Sequence, residues 1–330
     1  MKMKNIIRSA QRNAKTAFLM CAAFSLCLTA CSDDDESNGG GSGDLPATSD
    51  LGITHPVTGI MENGGNTATY NYTDGRLTSG HSLLDDMDFT IGGSPLRIWC
   101  GVEESDGETY EETFTNIRTN SHGAITYADV NYREEGYGEV FEGSGTLTAE
   151  YDGDNRIQRL TATDESNEDG ETYSEETTVT FTWEGNNITG ITYMYAEGTW
   201  EDPDEKDYYD TESYTFSYGD NPETNSGIYI PYFVIDLDFM SYAGLFGRTT
   251  SHIPESATID GQNYEFSVDK DSQGRITAFY ENGYLYESYF YDGQTPSAAR
   301  TTINKAPAKT KGHGLMRKIA KRIIARNTGR

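Results

Sequence analysis

The segment Asp269-Lys-Asp-Ser-Gln-Gly-Arg-Ile-Thr-Ala-Phe-Tyr-Glu281 sets carboxylates at alternate positions ahead of a glycine. A calcium loop of the EF-hand type takes oxygen ligands at alternate positions, bends at a glycine in position six and closes with a bidentate acid at position twelve. Counted from Asp269, Asp271 and Gly274 fit that scheme, but position twelve is Tyr280 and Glu281 falls one residue late. No helical periodicity flanks the loop, because Val268 and Ile276 belong to alternating patterns. A polar bend with glycine is also how a β-hairpin turn is written. The segment reads as a turn, and no metal is expected there.

Other residues that could do chemistry are few. No G-x-S-x-G, H-E-x-x-H or C-x-x-C occurs in the chain. His55, His81, His122 and His252 stand without a second ligand at metal spacing and read as surface or turn histidines. Acids are so abundant that no glycosidase-like pair stands out. Cys100, in Arg-Ile-Trp-Cys-Gly-Val, reads as a small buried apolar residue. The chain therefore reads as non-enzymatic, with no cofactor. An unrecognised hydrolase, its carboxylates clustered in a cleft, is the catalytic alternative. Trp183, Trp200, Tyr193, Tyr195, Tyr208 and Tyr209 fall close enough in sequence for neighbouring strands. They form either an aromatic platform that stacks on sugar rings or a core packed with aromatics.

What positions these residues is strand. Val179, Phe181 and Trp183 alternate with Thr178, Thr180 and Thr182, and Tyr214, Phe216 and Tyr218 with Thr215 and Ser217. Period two bounded by Gly, Asn and Asp predicts antiparallel strands with one wet face. Four segments share a bend: those starting at Tyr72, Tyr151, Trp183 and Val268. Each ends a strand in an apolar or aromatic residue, turns through Gly or Asn, and returns through Leu or Ile. In three copies a further large residue follows, at Leu160, Ile191 and Phe279. The stretch 227–247 reads as a buried strand followed by a compact turn, with a helix near 236–244 as the alternative. The strand around Tyr284–Tyr291 puts aromatics on both faces and is expected to be covered on both.

Charge is distributed unevenly. Residues 1–20 hold five Lys or Arg, residues 300–330 hold ten, and neither stretch contains an acid. The rest of the chain sets ten basic residues against all 53 acids. Such a body repels phosphate backbones, which argues against nucleic acid as a partner.

Both ends carry addresses. Lys2, Lys4, Arg8, Arg12 and Lys15 precede an apolar run from Ala17 to Leu28, too short to span a bilayer. Leu28-Thr29-Ala30-Cys31 resembles the lipobox of bacterial lipoproteins, whose cysteine becomes the first residue and carries acyl chains. Ser32, Asp33, Asp34, Asp35 and Glu36 resemble the export signal of surface lipoproteins in the Bacteroidota; a plain solvated linker is the alternative. At the other end, Leu315, Met316, Ile319, Ala320, Ile323 and Ile324 line one half of a helical wheel. Arg317, Lys318, Lys321 and Arg322 fill most of the other, a basic amphipathic helix. It docks on the acidic body, on anionic lipid, or on a partner.

The tyrosine-rich hairpins, Tyr214-Thr-Phe-Ser-Tyr-Gly-Asp-Asn221 and 245–259 together resemble a Bacteroidota lipoprotein domain of unknown function with a porin-like fold and YD-type hairpins. The likeness runs from about Leu147 to Asp292. It implies a barrel-like meander and no catalytic residues. The outward Thr, Glu and Asp lack the unbroken apolar band of a membrane barrel. The expected fold is all-β: an antiparallel hairpin meander forming a soluble barrel-like or strongly curved sheet, with a short C-terminal amphipathic helix. The organisation expected is a signal over 1–30, a tether over 31–50, a β domain over 51–295 and a basic tail over 296–330. The expected location is the outer membrane, facing the cell exterior and held by acyl chains on Cys31, with polysaccharide or anionic lipid as partner.

Cys31→Ser is expected to abolish incorporation of labelled palmitate and to release the protein from the membrane fraction. Retention of label in that variant would refute the acylation site.

Overall fold

The structure is a computed structural model. It describes residues 45–294, except 64, 83–86, 104–108, 137–138, 169–170, 200–206, 220–237, 249 and 260. The chain divides into units Met1–Gly39 and Gly40–Arg330, and the described residues all lie in the second.

Sixteen strands follow one another. They are β1 (Gly59–Glu62), β2 (Thr67–Thr73), β3 (Arg76–His81), β4 (Asp88–Gly92), β5 (Arg97–Glu103), β6 (Thr109–Thr119), β7 (Ile125–Gly136) and β8 (Glu139–Tyr151). The second half continues with β9 (Ile157–Glu168), β10 (Glu171–Glu184), β11 (Asn187–Thr199) and β12 (Asp207–Ser217). It ends with β13 (Ser256–Ile259), β14 (Gln262–Lys270), β15 (Ile276–Glu281) and β16 (Tyr284–Phe290). Each strand pairs antiparallel with its neighbours in sequence, and β1 pairs with β16, so the sheet closes into a barrel. Ile60 opposite Tyr289 and Gly59 opposite Phe290 set the closing register. Closure leaves no unpaired edge to template aggregation.

Alternation decides which wall is which. On β10, Val179 and Phe181 are buried while Thr180 and Thr182 are exposed. On β4, Phe89 and Ile91 are buried between exposed Asp88 and Thr90. The apolar faces of all the strands meet inside the barrel in one core. The outer wall carries Thr, Ser and acids, including the cross-strand pair Thr146–Thr163 with hydroxyls 2.9 Å apart. The larger hydrophobic side chains exposed among the described residues are Trp99, Val140, Met194 and Tyr284. Tyr284 corrects the expectation for β16 at that end of the strand, where it is exposed, while Tyr286 and Phe290 on the same face are half-buried.

A barrel of sixteen strands is too wide for its own side chains to fill. The connection from β12 to β13 supplies the filling. In helix α1 (Asp238–Tyr242) and the turn that follows it, residues 239–247 are all buried, Ser241 among them. Phe239 stacks on Phe89 with centroids 4.3 Å apart, and Tyr242 meets Tyr70 at 4.7 Å. A helix therefore stands where the sequence favoured a buried strand. Val234 and Leu237, part of that reading, lie outside the described residues.

The plug is laced to one rim. Ile125 N–H donates to Leu245 O, Arg248 N–H to Asn155 O and Ser251 N–H to Asn186 O. Gly247 sits at φ +76°, and a Cβ there would fall 2.5 Å from Asn155 O, so the contact requires glycine. Residues 45–53 close the same end. Thr48 N–H donates to Gly75 O, Arg76 Nε to Leu45 O, and Leu51 packs against Gly244.

Phe239→Ala is expected to cost about 3–4 kcal/mol of unfolding free energy by emptying the plug's central contact. Thr180→Ala, on the outer wall, should shift it by less than about 0.5 kcal/mol. Urea unfolding followed by tryptophan fluorescence measures both, and equal losses would contradict the inside-outside assignment.

Candidate functional site

The four repeated bends come together at the plugged end, because even-numbered strands run towards it and odd-numbered strands leave it. Each is followed by an irregularity in pairing, where the returning strand gains a residue: after Leu77, Ile157, Ile188 and Ile276. That bulge explains the spacing of apolar residues three apart. Ile157 and Leu160, Ile188 and Ile191, and Ile276 and Phe279 all point inward although strict alternation would separate them.

The bulged residue's carbonyl is then captured by the neighbouring hairpin. Trp183 Nε1–H donates to Ile157 O at 2.8 Å, Tyr218 O–H to Ile188 O at 2.6 Å and Tyr291 O–H to Ile276 O at 2.6 Å. Tyr151 does the same to Ile125 O at 2.8 Å and also reaches the plug at Leu245 O. Burial pushes the Tyr218 phenol up to about 12, although its hydrogen bond with Thr250 pulls the other way.

The opening segment is one of these turns. Asp271 Oδ1 accepts the N–H groups of Gln273 and Arg275, and Oδ2 accepts Arg275 Nε at 2.7 Å. Asp269 accepts Tyr280 O–H at 2.6 Å. Both carboxylates are thus engaged within the hairpin, with Gly274 at φ +81° making the bend. Asp152 repeats the arrangement with Asp154, Arg156 and Gln158. Arg156 lies over Trp183 and Arg275 over Tyr291, so each turn is also held by a cation on its neighbour's ring. Partial burial opposes ionisation of Asp271 and Asp152. The arginine and backbone N–H groups outweigh it, and both carboxyls sit below their ordinary range.

Polar pairs also line the inner wall. Tyr289 O–H donates to Glu287 Oε2 at 2.6 Å, both buried, and burial raises the Tyr289 phenol well above its ordinary value. Tyr214 O–H donates to Glu212 Oε2 at 2.8 Å, with Tyr193 edge-on at 5.8 Å. Tyr110 stacks on Tyr132 at 6.4 Å, and Cys100 Sγ lies 3.9 Å from Glu112 Oε2. A Tyr and a Glu two residues apart share one face of a strand, so the signal is E-x-Y or Y-x-E. The pattern matches no catalytic motif and carries meaning only once the two residues are known to share a face. Such a wall offers aromatic faces, phenol donors and carboxylate acceptors.

The residues singled out in the sequence are distributed as follows. Trp183 is half-buried and committed to Ile157 at the plugged end. Tyr193 is buried in the inner wall beside Tyr214 and Glu212. Tyr195 lies on β11 opposite Asp210 of β12, and Tyr208 opposite Ala196. Tyr209 follows on β12. Trp200, Cys31, Ser32, Asp33, Asp34, Asp35, Glu36, Arg317, Lys318, Lys321 and Arg322 lie outside the described residues. His81 contacts Asp88 at 3.0 Å, and the backbone N–H of His252 bonds Asn187. Among the described residues no three His, Cys, Asp or Glu side chains gather as a metal site. No helix among them is long and apolar enough to cross a membrane.

No protein-family model matches this chain, and neither does any curated protein. Among solved structures, a porin-like protein from Bacteroides vulgatus is similar at TM-score 0.50 and 13% identity, over 72% of this chain and 100% of that one. The fold is porin-like. A porin-like protein from Bacteroides uniformis, at 16% identity over 59% of this chain and 96% of its own, reaches a TM-score of 0.26 and adds nothing to that assignment.

A carboxyl held below its unfolded value stabilises the fold above that value and loses this contribution as pH falls through the folded one. Asp152→Asn with Asp271→Asn is therefore expected to lower Tm at neutral pH and to flatten the fall in Tm on acidification below about pH 4. Calcium should leave Tm unchanged in the parent chain; a rise with added calcium, lost in Asp271→Asn, would overturn the turn assignment.

Proposed function

We propose that this protein is a non-enzymatic lipoprotein of the outer membrane, held at the cell exterior by acyl chains on Cys31. Its barrel stands in water and binds polysaccharide. One observation carries the water-facing barrel: apolar side chains point inward and Thr, Ser and acids point outward. A membrane-spanning barrel needs the opposite arrangement, an outward apolar band around a polar interior. The plug argues against conduction as well, since α1 and residues 45–53 occupy one end of the lumen. Envelope association is supported by the porin-like protein from Bacteroides vulgatus whose fold it resembles.

Polysaccharide is favoured by the half of the barrel away from the plug. Tyr193 and Tyr195 are two residues apart on β11, next to Tyr208, Tyr209 and Glu212 of β12, with Trp200 in their connection. Aromatic rings stack on the apolar faces of sugars, and carboxylates accept from their hydroxyls. Trp183 is excluded from this group because its indole N–H and ring are used in the wall.

Two measurements test the reading. The mature chain without acyl groups should refold in detergent-free buffer with strand-type circular dichroism; refolding only in detergent would refute the water-facing barrel. On a glycan array and in affinity electrophoresis it should retain at least one polysaccharide, with Tyr195→Ala weakening retention about five- to tenfold. Silence across the array would refute the binding role.

A further inference from the structure

The strands that enclose the barrel are unequal in length. β6 to β12 have 11 to 14 residues each, and the remaining nine have 4 to 9. All of them start or finish at the plugged end, so the surplus stands at the opposite rim as a tall wall on one side. A surplus of about five residues amounts to roughly 15 Å along a strand.

Burial along the inner face follows that shape. Phe114 on β6, Ala128 on β7, Leu147 on β8, Leu160 on β9 and Val179 on β10 are buried. On each of these strands the next inward position away from the plug is half-buried: Glu112, Val130, Gly145, Ala162 and Thr177. On the short side the inward residues Ile60, Phe279, Glu287 and Tyr289 stay buried. The tall wall therefore presents its inner face to solvent beyond the core.

Two aromatic rings stand on that face. Tyr132 of β7 pairs with Glu112 of β6 on one side and with Gly143 of β8 on the other. Its ring reaches over Gly143, where any Cβ would overlap it. A glycine inside a strand weakens the strand, and close approach by another group is a reason for one to stand there. Tyr110, two residues before Glu112, holds its ring within 24° of the Tyr132 plane at a centroid distance of 6.4 Å. Both tyrosines are half-buried, so the pair offers one broad aromatic surface with Glu112 beside it.

Charge narrows what such a surface can hold. The basic residues of β6 to β12 are Arg118, Arg133 and Arg159. Arg133 and Arg159 alternate with the inward Tyr132 and Leu160, and Arg118 lies over the ring of Tyr127, so all three face outward. Glu112 and Glu212 face inward, opposite Cys100 and Tyr193. A uronate or sulfate group would meet these carboxylates with no inward cation of the wall to offset them, whereas hydroxyl groups donate to them.

We propose that Tyr110 and Tyr132 form a second stacking subsite, on the same curved wall as Tyr193 and Glu212, and that the polysaccharide held there carries no acidic groups. This subsite rests on the polysaccharide reading and adds to it a location on β6 and β7 and a charge class.

Affinity electrophoresis of the mature chain without acyl groups tests it. The gels contain galactomannan, xyloglucan or pullulan as uncharged polymers, and polygalacturonate, alginate or chondroitin sulfate as acidic ones. At least one uncharged polymer is expected to retard the chain, and calorimetric titration with that polymer should give the same affinity at low and high salt. Tyr132→Ala should weaken binding about five- to tenfold, and Tyr132→Phe should restore most of the loss. Gly143→Ala, which displaces the ring while keeping it, should also weaken binding, and Thr180→Ala on the outer wall should not. Circular dichroism confirms that each variant is folded. Retardation by an acidic polymer that Tyr132→Ala abolishes, an affinity that falls at high salt, or undiminished binding by folded Tyr132→Ala would overturn the subsite. A chain weakened by Tyr195→Ala and indifferent to Tyr132→Ala defeats the subsite alone. A chain that no polysaccharide retards defeats the polysaccharide reading, and the subsite with it.

Discussion

A closed sheet of sixteen strands encloses more room than inward side chains can fill, and everything distinctive about this barrel follows from that constraint. With an apolar inner wall, an empty lumen would forfeit dispersion contacts all along it. The β12–β13 connection meets the demand by turning one helical turn of Phe, Met, Ser and Tyr into the wall. Phe239 lies against Phe89 and Tyr242 against Tyr70, on strands far from the connection in sequence. The plug is thus the contact that lets early and late strands share one core.

A plug held only by apolar contact could slide, since dispersion has little direction. Directional bonds at the rim fix it: the carbonyl of Leu245 accepts from both Ile125 N–H and the Tyr151 phenol. Tyr151 belongs to the same series as Trp183, Tyr218 and Tyr291, each reaching across to a bulged hairpin. Plug and rim are therefore one hydrogen-bonded system. Its members are buried enough that a lost partner would cost roughly 1–3 kcal/mol. The turn acids add rigidity through Asp271–Arg275 and Asp152–Arg156, which brace the bends.

Much of this was legible in the residues. Alternation such as Val179-Thr-Phe181-Thr predicts a strand with one wet face because the side-chain period of a strand is two. The turn at Asp271 was legible because the calcium template fails at one countable position. The bulge was half-legible: Leu160, Ile191 and Phe279 recur at a fixed offset, but the offset of three has meaning only once an extra residue is allowed. Helix α1 was half-legible, standing as the alternative to a buried strand near 236–244, because residues 239–242, all buried, show no amphipathic period. Closure was not legible. That Ile60 should face Tyr289 depends on strand tilt and stagger around the whole barrel, which no local pattern encodes. Nor could the aromatic residues be sorted by type, for Trp183 and Tyr193 differ only in which hairpin lies next to them.

Likeness to a porin-like protein describes the scaffold, and the partition of side chains across the wall is a separate property of the sequence. Strand number, antiparallel pairing and closure are compatible with either solvent outside, because backbone hydrogen bonds are satisfied in both. The choice lies in which face of each strand receives the Thr and which the Val or Phe. A shift of one residue in that assignment would turn the wall inside out while leaving the backbone unchanged. In this chain Thr146, Thr163, Thr180 and Thr182 stand outside and Leu147, Leu160, Val179 and Phe181 inside. The bulges after Ile157, Ile188 and Ile276 preserve that partition across the turns. Fold and function separate at this point: the barrel is a shape that many roles can use, and the polarity of its two faces is what distinguishes them.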